Sequence, residues 1–176
     1  MKWLVFCSQT GSEIVSLSKR INKLPDYLIS NNAKKLSQET VKWLDSNNVG
    51  TIFLPFNPSL EDYKSFEHLL EGSLITLHGY LRIIPEEICN KYKLFNGHPG
   101  LVSKHKILLG KDPQLKAFQL KHLIIGSIIH KVIPEVDEGD ILYEEEVTIK
   151  KDADLNDYYD ALRETSLKSW VKFFGN

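Results

Sequence analysis

The chain reads as an α/β protein built on a Rossmann-like, doubly wound sheet of seven strands, mostly parallel, with antiparallel last strands. Three observations predict it. Short apolar runs alternate with segments whose apolar residues recur at helical spacing, which is the pattern of βαβ units. The first run, Trp3-Leu4-Val5-Phe6-Cys7, is continuous rather than alternating, as in a strand buried on both faces. The last two strand-like runs are joined by too few residues for a crossover helix, so that pair runs antiparallel.

The elements follow in order. Trp3 to Cys7 empties into Ser8-Gln9-Thr10-Gly11-Ser12, and Ile14, Val15, Leu17 and Ile21 then share one helical face. A strand, turn and helix of this kind aims backbone N–H groups at whatever lies over the turn, often a phosphate or carboxylate. The three-glycine dinucleotide fingerprint is absent. Asp26 to Ser30 gives a second strand, Ser37 caps a helix carrying Val41 and Leu44, and Gly50 to Pro55 gives a third strand. Ser59 and Asp62 form a variant capping box for one helix bearing Leu60, Tyr63, Phe66 and Leu70. Leu74 to His78 is the fourth strand, Glu86 opens a short helix, and Tyr92 to His98 is the fifth strand. The stretch after Pro99, with Lys104, His105, Lys106 and Lys111, reads as a long loop, either a mobile cover or a solvated basic connection. Leu123 to Val132 and Ile141 to Ile149 are the last strands. Asp154 caps a closing helix with Leu155, Tyr159, Leu162, Ser166, Trp170 and Phe173 on one face.

Composition narrows the function. A chain of 176 residues fits one domain with a substantial core. Lys and Arg (22) balance Asp and Glu (23), so no general field attracts nucleic acid or an anionic membrane, and small-molecule substrates are expected. Cys7 and Cys89 lack the spacing of zinc ligands or of a disulfide scaffold, which points to a reducing cytoplasmic setting. The amino-terminal apolar run is too short for a signal peptide, and nothing approaches the roughly 18 apolar residues of a membrane span.

The chemistry gathers at Asn96-Gly97-His98-Pro99-Gly100, read with Gly126-Ser127-Ile128-Ile129-His130 and Asp137. Asn-Gly is also the common hairpin-turn dipeptide, so a turn stands beside the functional reading. In a strand, Asn96 and His98 project to the same side, and Pro99 ends the ladder while restricting the backbone of His98. Ligands of open α/β sheets bind outside the carboxyl ends of strands, where this motif is predicted to fall. The Asn96 amide can donate to an oxygen that becomes negative, and His98 can donate to it or move a proton. Asp137 can steer the imidazole or take a proton through water. This set suits acyl transfer by direct attack of an amine, and no Gly-x-Ser-x-Gly nucleophile elbow is present. The acidic turn of Asp137, Glu138 and Asp140 is read as solvated, with no metal.

On these residues the chain resembles, nearly end to end, the 10-formyltetrahydrofolate-dependent formyltransferases, most closely the single-domain glycinamide ribonucleotide formyltransferases of purine synthesis. Asn96 to Pro99 matches the family's Asn-x-His-Pro motif. Gly126 to His130 is similar to its Gly-x-(Ser/Thr)-(Val/Ile)-His strand, with Ser127 one place early, and Asp137 falls at the separation of its catalytic Asp. The resemblance implies the formyltransferase fold, one catalytic domain over 1–176, 10-formyltetrahydrofolate as co-substrate, and a monomer or homodimer. It implies catalytic roles for Asn96, His98 and Asp137, and a folate pocket lined by Arg82, Ile83, Ile84 and Val132 with Asn96 and Asp137. It assigns the amine substrate to Gly11, Ser12, Glu13, Gly79 and Glu164. Glu13 departs from the family's neutral Asn, and a carboxylate in the first helical turn satisfies the same positive end that would attract a phosphate. His78 stands where a small residue is usual, and Thr165 where His is common. His98-Pro99-Gly100 and Asp112-Pro113-Gln114 are similar to loops of the branch that formylates amino sugars on nucleotides. The acceptor therefore stays open between glycinamide ribonucleotide and an amino-sugar nucleotide or other amine. Hydrolysis of the formyl donor is a further alternative, although the family's hydrolases carry an added regulatory domain for which this length leaves no room. A folate-binding module without turnover is the alternative outside enzymes.

Overall fold

The computed structural model describes residues 1–175. Its strands are β1 (Trp3–Cys7), β2 (Tyr27–Ser30), β3 (Gly50–Phe53), β4 (Leu74–His78), β5 (Leu94–His98), β6 (Ile124–Lys131) and β7 (Ile141–Thr148). Its helices are α1 (Ser12–Ile21), α2 (Gln38–Ser46), α3 (Leu60–Lys64), α4 (Glu67–Leu70), α5 (Glu86–Lys91), α6 (Pro113–Gln119) and α7 (Leu155–Gly175). The strands form one seven-stranded sheet, as the sequence predicts, and their order is β3-β2-β1-β4-β5-β6-β7. Two compact units are distinguished, Met1–Asn96 with Val132–Pro134, and Gly97–Lys131 with Glu135–Asn176.

In the first unit β1 is buried along its whole length, because it pairs in parallel with β2 on one side and β4 on the other. That explains its continuous apolar run. The sheet order reverses between β1 and β4, which makes their carboxyl ends a topological switch point. Leu4, Phe6, Ile29, Tyr63, Ile75, Leu77, Ile84 and Ile88 share one core. Ser37 caps α2 by accepting from the Thr40 N–H at 3.0 Å. Ser59 and Asp62 complete their box, with the Ser59 N–H donating to Asp62 at 2.7 Å. The single helix expected from Leu60 to Leu70 is instead two, α3 and α4. The Ser65 hydroxyl donates to the Asp62 carbonyl at 2.7 Å and competes with the helical ladder where it ends, while Tyr63, Phe66 and Leu70 still reach the core.

In the second unit β6 and β7 are antiparallel, in register from Ile124 with Thr148 to Ile129 with Tyr143, and slip between Ile129 and His130. The last helix covers β6 through a buried polar seam. Ser127 Oγ lies 3.0 Å from both the Leu162 carbonyl and Thr165 Oγ1, and Ser169 Oγ donates to the Ser127 carbonyl at 3.3 Å. Asp154 and Asp157 cap this helix reciprocally, each accepting the other's N–H at 2.9 Å.

The stretch after Pro99 corrects the expectation of a long loop. It contains a 3-10 turn at Lys106–Leu108 and then α6, with Pro113 at the start of the helix, where its missing N–H costs nothing. Leu101, Val102, Leu108 and Ala117 are buried, so the segment is packed rather than loosely draped. Lys104 pairs with Glu146, and Lys116 Nζ donates to the Leu109 carbonyl at 2.9 Å. Among the described residues no helix is long and apolar enough to cross a membrane.

Candidate active site

Two histidines converge on one carboxylate. His98 ends β5 and is 4% exposed, His130 lies on β6 at 2%, and Asp137 sits in the turn between β6 and β7. Asp137 Oδ2 is 3.3 Å from His98 Nδ1, and Oδ1 is 3.4 Å from His130 Nε2. Each imidazole places its far nitrogen beside the main chain: His98 Nε2 donates to the Leu108 carbonyl at 2.8 Å, and His130 Nδ1 lies 2.9 Å from the Lys131 carbonyl. The Gly110 N–H donates to Asp137 Oδ2 at 3.0 Å.

Local backbone features aim these groups. The register slip beside His130 is a bulge-type irregularity, the device that re-aims a strand side chain. Asp137 has φ 57°, a left-handed conformation that Asp and Asn accept more readily than other non-glycine residues. Gly139 lies against the Lys131 carbonyl, where an added Cβ would come within 1.8 Å, so the turn closes tightly under His130.

Electrostatics complete the arrangement. Burial alone would raise the Asp137 carboxyl. The His130 hydrogen bond, the nearby His98 and the Gly110 N–H outweigh it and hold the group below its ordinary range, so it stays ionised. Burial lowers His98 below its usual value, against the pull of Asp137 and the Leu108 carbonyl. With Nε2–H committed to Leu108, a neutral His98 turns its Nδ1 lone pair toward Asp137. One proton shared across that 3.3 Å gap satisfies both acceptors, so the pair is a natural proton receiver.

His130 is the residue that sequence reasoning passed over as a partner. It stood in the quoted Gly126–His130 strand, yet it holds the second oxygen of Asp137. Its position next to the end of a strand that buries Ile125, Ile128 and Ile129 was the available signal. Asn96 lies two residues before His98 on β5, as expected, and is half-buried. Gly97 between them packs against α7, where a Cβ would fall 2.7 Å from Trp170 Nε1. Ser127 is taken up by the seam with α7, and burial pushes the Cys7 thiol up to about 11, which makes it a poor nucleophile.

The residues expected to bind substrates are placed as follows. Arg82 Nε donates to the Phe56 carbonyl at 2.7 Å, with its guanidinium 4.0 Å over the Phe56 ring. Ile83 is 73% exposed, whereas Ile84 is buried in the first unit's core and packs inward. Val132 is half-buried against the same core, its N–H donating to the Leu94 carbonyl at 2.8 Å. Gly11 caps α1 in the left-handed region with φ 77°, and Ser12 N–H donates to Thr10 Oγ1 at 3.4 Å. Glu13 Oε2 lies 3.0 Å from His78 Nδ1. Gly79 has φ 62°, and its carbonyl accepts from the Ser8 N–H at 3.2 Å. Glu164 is half-buried on α7. Among the described residues no group of three or more His, Cys, Asp or Glu is arranged to hold a metal ion.

Comparison with known proteins agrees with this architecture. A phosphoribosylglycinamide formyltransferase from Anaplasma phagocytophilum superposes with a TM-score of 0.83 at 23% identity, covering 98% of this chain and 84% of that one. The enzyme of the same name from Bacillus halodurans gives 0.82 at 19%, covering 99% and 93%. A formyltetrahydrofolate deformylase from Pseudomonas syringae pv. tomato gives 0.79 at 17%, covering 98% of this chain and 59% of that one. At such identities the likeness is one of fold. The model of the formyl transferase family, by contrast, matches the sequence itself over residues 1–173, through β5, both histidines and the last helix, and the chain belongs to that family of enzymes, which use 10-formyltetrahydrofolate as formyl donor.

Proposed function

We propose that the protein transfers the formyl group of 10-formyltetrahydrofolate to a primary amine, with residues 1–176 acting as one catalytic domain. The observation that carries the proposal is the Asp137 carboxylate, held ionised and flanked by two buried imidazoles, one of them two residues from Asn96. The amine attacks the formyl carbon, and the carbonyl oxygen becomes an oxyanion that the Asn96 amide stabilises by donating a hydrogen bond. The proton lost by the amine passes to the His98–Asp137 pair and returns to the folate nitrogen as the carbon–nitrogen bond to the donor breaks. His98 Nε2 is occupied by Leu108. This favours His98 as partner of Asp137 over the oxyanion donor that the sequence suggests, and leaves that task to Asn96. Arg82, Ile83 and Val132 are proposed to contact the folate, and Gly11, Ser12, Glu13, Gly79 and Glu164 the amine.

Glycinamide ribonucleotide is the acceptor that the names of the structural neighbours supply. An amino-sugar nucleotide or another amine is a second reading, favoured by the Glu13–His78 pair. A spectrophotometric assay of tetrahydrofolate formation, with and without glycinamide ribonucleotide, tests the first. Amine-dependent turnover is expected. Formate release without any amine would indicate donor hydrolysis, and folate binding without turnover on any amine would overturn the transferase reading in favour of a binding module.

A further inference from the structure

The carbonyl that holds His98 belongs to a turn with little helix behind it. Leu108 closes the 3-10 turn Lys106–Leu108, and two residues further on the Gly110 N–H reaches Asp137, so this short stretch touches both members of the His98–Asp137 pair. His105 stands at the start of the turn. Its N–H donates to the Leu101 carbonyl at 2.9 Å, and its own carbonyl accepts from the Leu108 N–H at 3.0 Å. So short a turn is not held by its backbone bonds alone, and its position depends on what the flanking side chains pack against.

The His105 side chain packs against a second imidazole. The His105 and His122 rings lie 4.1 Å apart, centroid to centroid, inclined at 48°. His122 follows α6, next to Lys121 in the left-handed region with φ 52°, and is fastened by its backbone. Its N–H donates to the Ala117 carbonyl at 3.0 Å, and its carbonyl accepts the Tyr158 hydroxyl of α7 at 2.9 Å. The His122 Nδ1 is buried and has no hydrogen-bonding partner among the described residues. Such an atom is tolerated as a bare lone pair, whereas protonation would bury a charged N–H with nothing to accept it, beside a second imidazole. Burial and the neighbouring His105 hold His122 below its usual value. Of the charged groups on these elements, Lys104 pairs with Glu146 of β7 and Lys116 of α6 with the Leu109 carbonyl, Lys106 and Lys121 are exposed to solvent, and α7 presents the Tyr158 hydroxyl.

We infer that His105 and His122 are positioning residues that act through the backbone: their contact holds the Leu108 carbonyl on His98 while both rings are neutral, and gives way when either takes up a proton. The catalytic consequence rests on the formyl-transfer reading above; the brace itself does not. Because His122 is lowered, the contact is complete above the ordinary histidine value of about 6.5 and weakens as pH falls through the lowered one. A protonated His98 still donates from Nε2, so its own titration does not break the bond to Leu108.

The test is amide hydrogen exchange, read by NMR at Leu108 and Gly110 and corrected for the intrinsic effect of pH, in wild type, His122→Phe and His105→Phe. Phenylalanine keeps an aromatic ring in the contact and takes up no proton. Wild-type protection is expected to fall about tenfold or more between about pH 7.5 and about 5.5, and to change less than about twofold in either variant. Constant wild-type protection over that range, or a fall as large in the variants, overturns the inference; if one variant does not fold, the other and the wild-type titration decide. Turnover is followed on the same samples. Acid loss of turnover that is postponed in the variants supports the inference. Turnover that stays constant while wild-type protection falls supports the brace and counts against His98–Asp137 as the proton carrier, so the two failures are distinct.

Discussion

Replacing Asp137 by Asn and by Ala separates its charge from its backbone. The residue sits at φ 57°, where Asn is tolerated much as Asp is, while Ala carries a strain of roughly 1–2 kcal/mol. Asn retains a carbonyl oxygen for the Gly110 N–H, which donates to Oδ2 at 3.0 Å, but loses the negative charge between His98 and His130. Ala loses both. Turnover should fall about a hundred- to ten-thousand-fold in either variant, the usual contribution of a positioned proton carrier. Stability should divide them. For a chain of this size 1 kcal/mol shifts the midpoint by ~2–4 °C, so the Ala variant should melt about 2–8 °C below the Asn variant. The assay is tetrahydrofolate release at saturating amine near neutral pH, with calorimetric melts of the same samples. Wild-type turnover in Asp137→Asn would refute the proton-carrying role, and identical melting of the two variants would refute the backbone argument.

Asn96→Ala should lower kcat by about a hundred- to a thousand-fold, since it removes an oxyanion donor; unchanged kcat would return that role to His98. Gly97→Ala places a Cβ 2.7 Å from Trp170 Nε1 and should cost about 1–3 kcal/mol in urea unfolding, against no change if α7 can yield. His98 and Asp137 are both held below their ordinary values, so the stability they contribute is complete above their unfolded pKa values, about 6.5 and 3.9, and is lost as pH falls through the folded ones. Wild-type melting temperature should therefore drop on acidification from about pH 7 toward 4, and His98→Gln should flatten the upper part of that curve.

Much of this was legible in the residues. The unbroken apolar run of β1 announced a strand with neighbours on both sides, and Ser37, Ser59 with Asp62, and Asp154 marked helix starts that the caps fulfil. The helix α6 was hidden because only Pro113 and Ala117 of its length are buried, too thin a stripe to register, although Asp112-Pro113 carried the start signal. The break between α3 and α4 depends on one hydroxyl, Ser65, choosing a backbone partner, which no periodicity reveals. At the site, spacing pointed to Asn96, His98 and Asp137, but not to the Leu108 carbonyl on His98 or to His130 as the second imidazole. Those contacts are set by the 3-10 turn after Pro99 and by the register slip beside His130, neither of which a periodic pattern reveals.

The contact between Gly97 and Trp170 has a spectroscopic consequence. Of the chain's three tryptophans, Trp170 is the one pressed against the residue next to His98; it is fully buried, with Phe173 edge-on at 5.4 Å. Its emission is therefore set by the polarity and spacing of the strand that bears the imidazole. In a background with Trp3 and Trp43 changed to Phe, that single indole would serve as a native optical gauge, reporting movement of the end of β5 during a catalytic cycle without any attached dye.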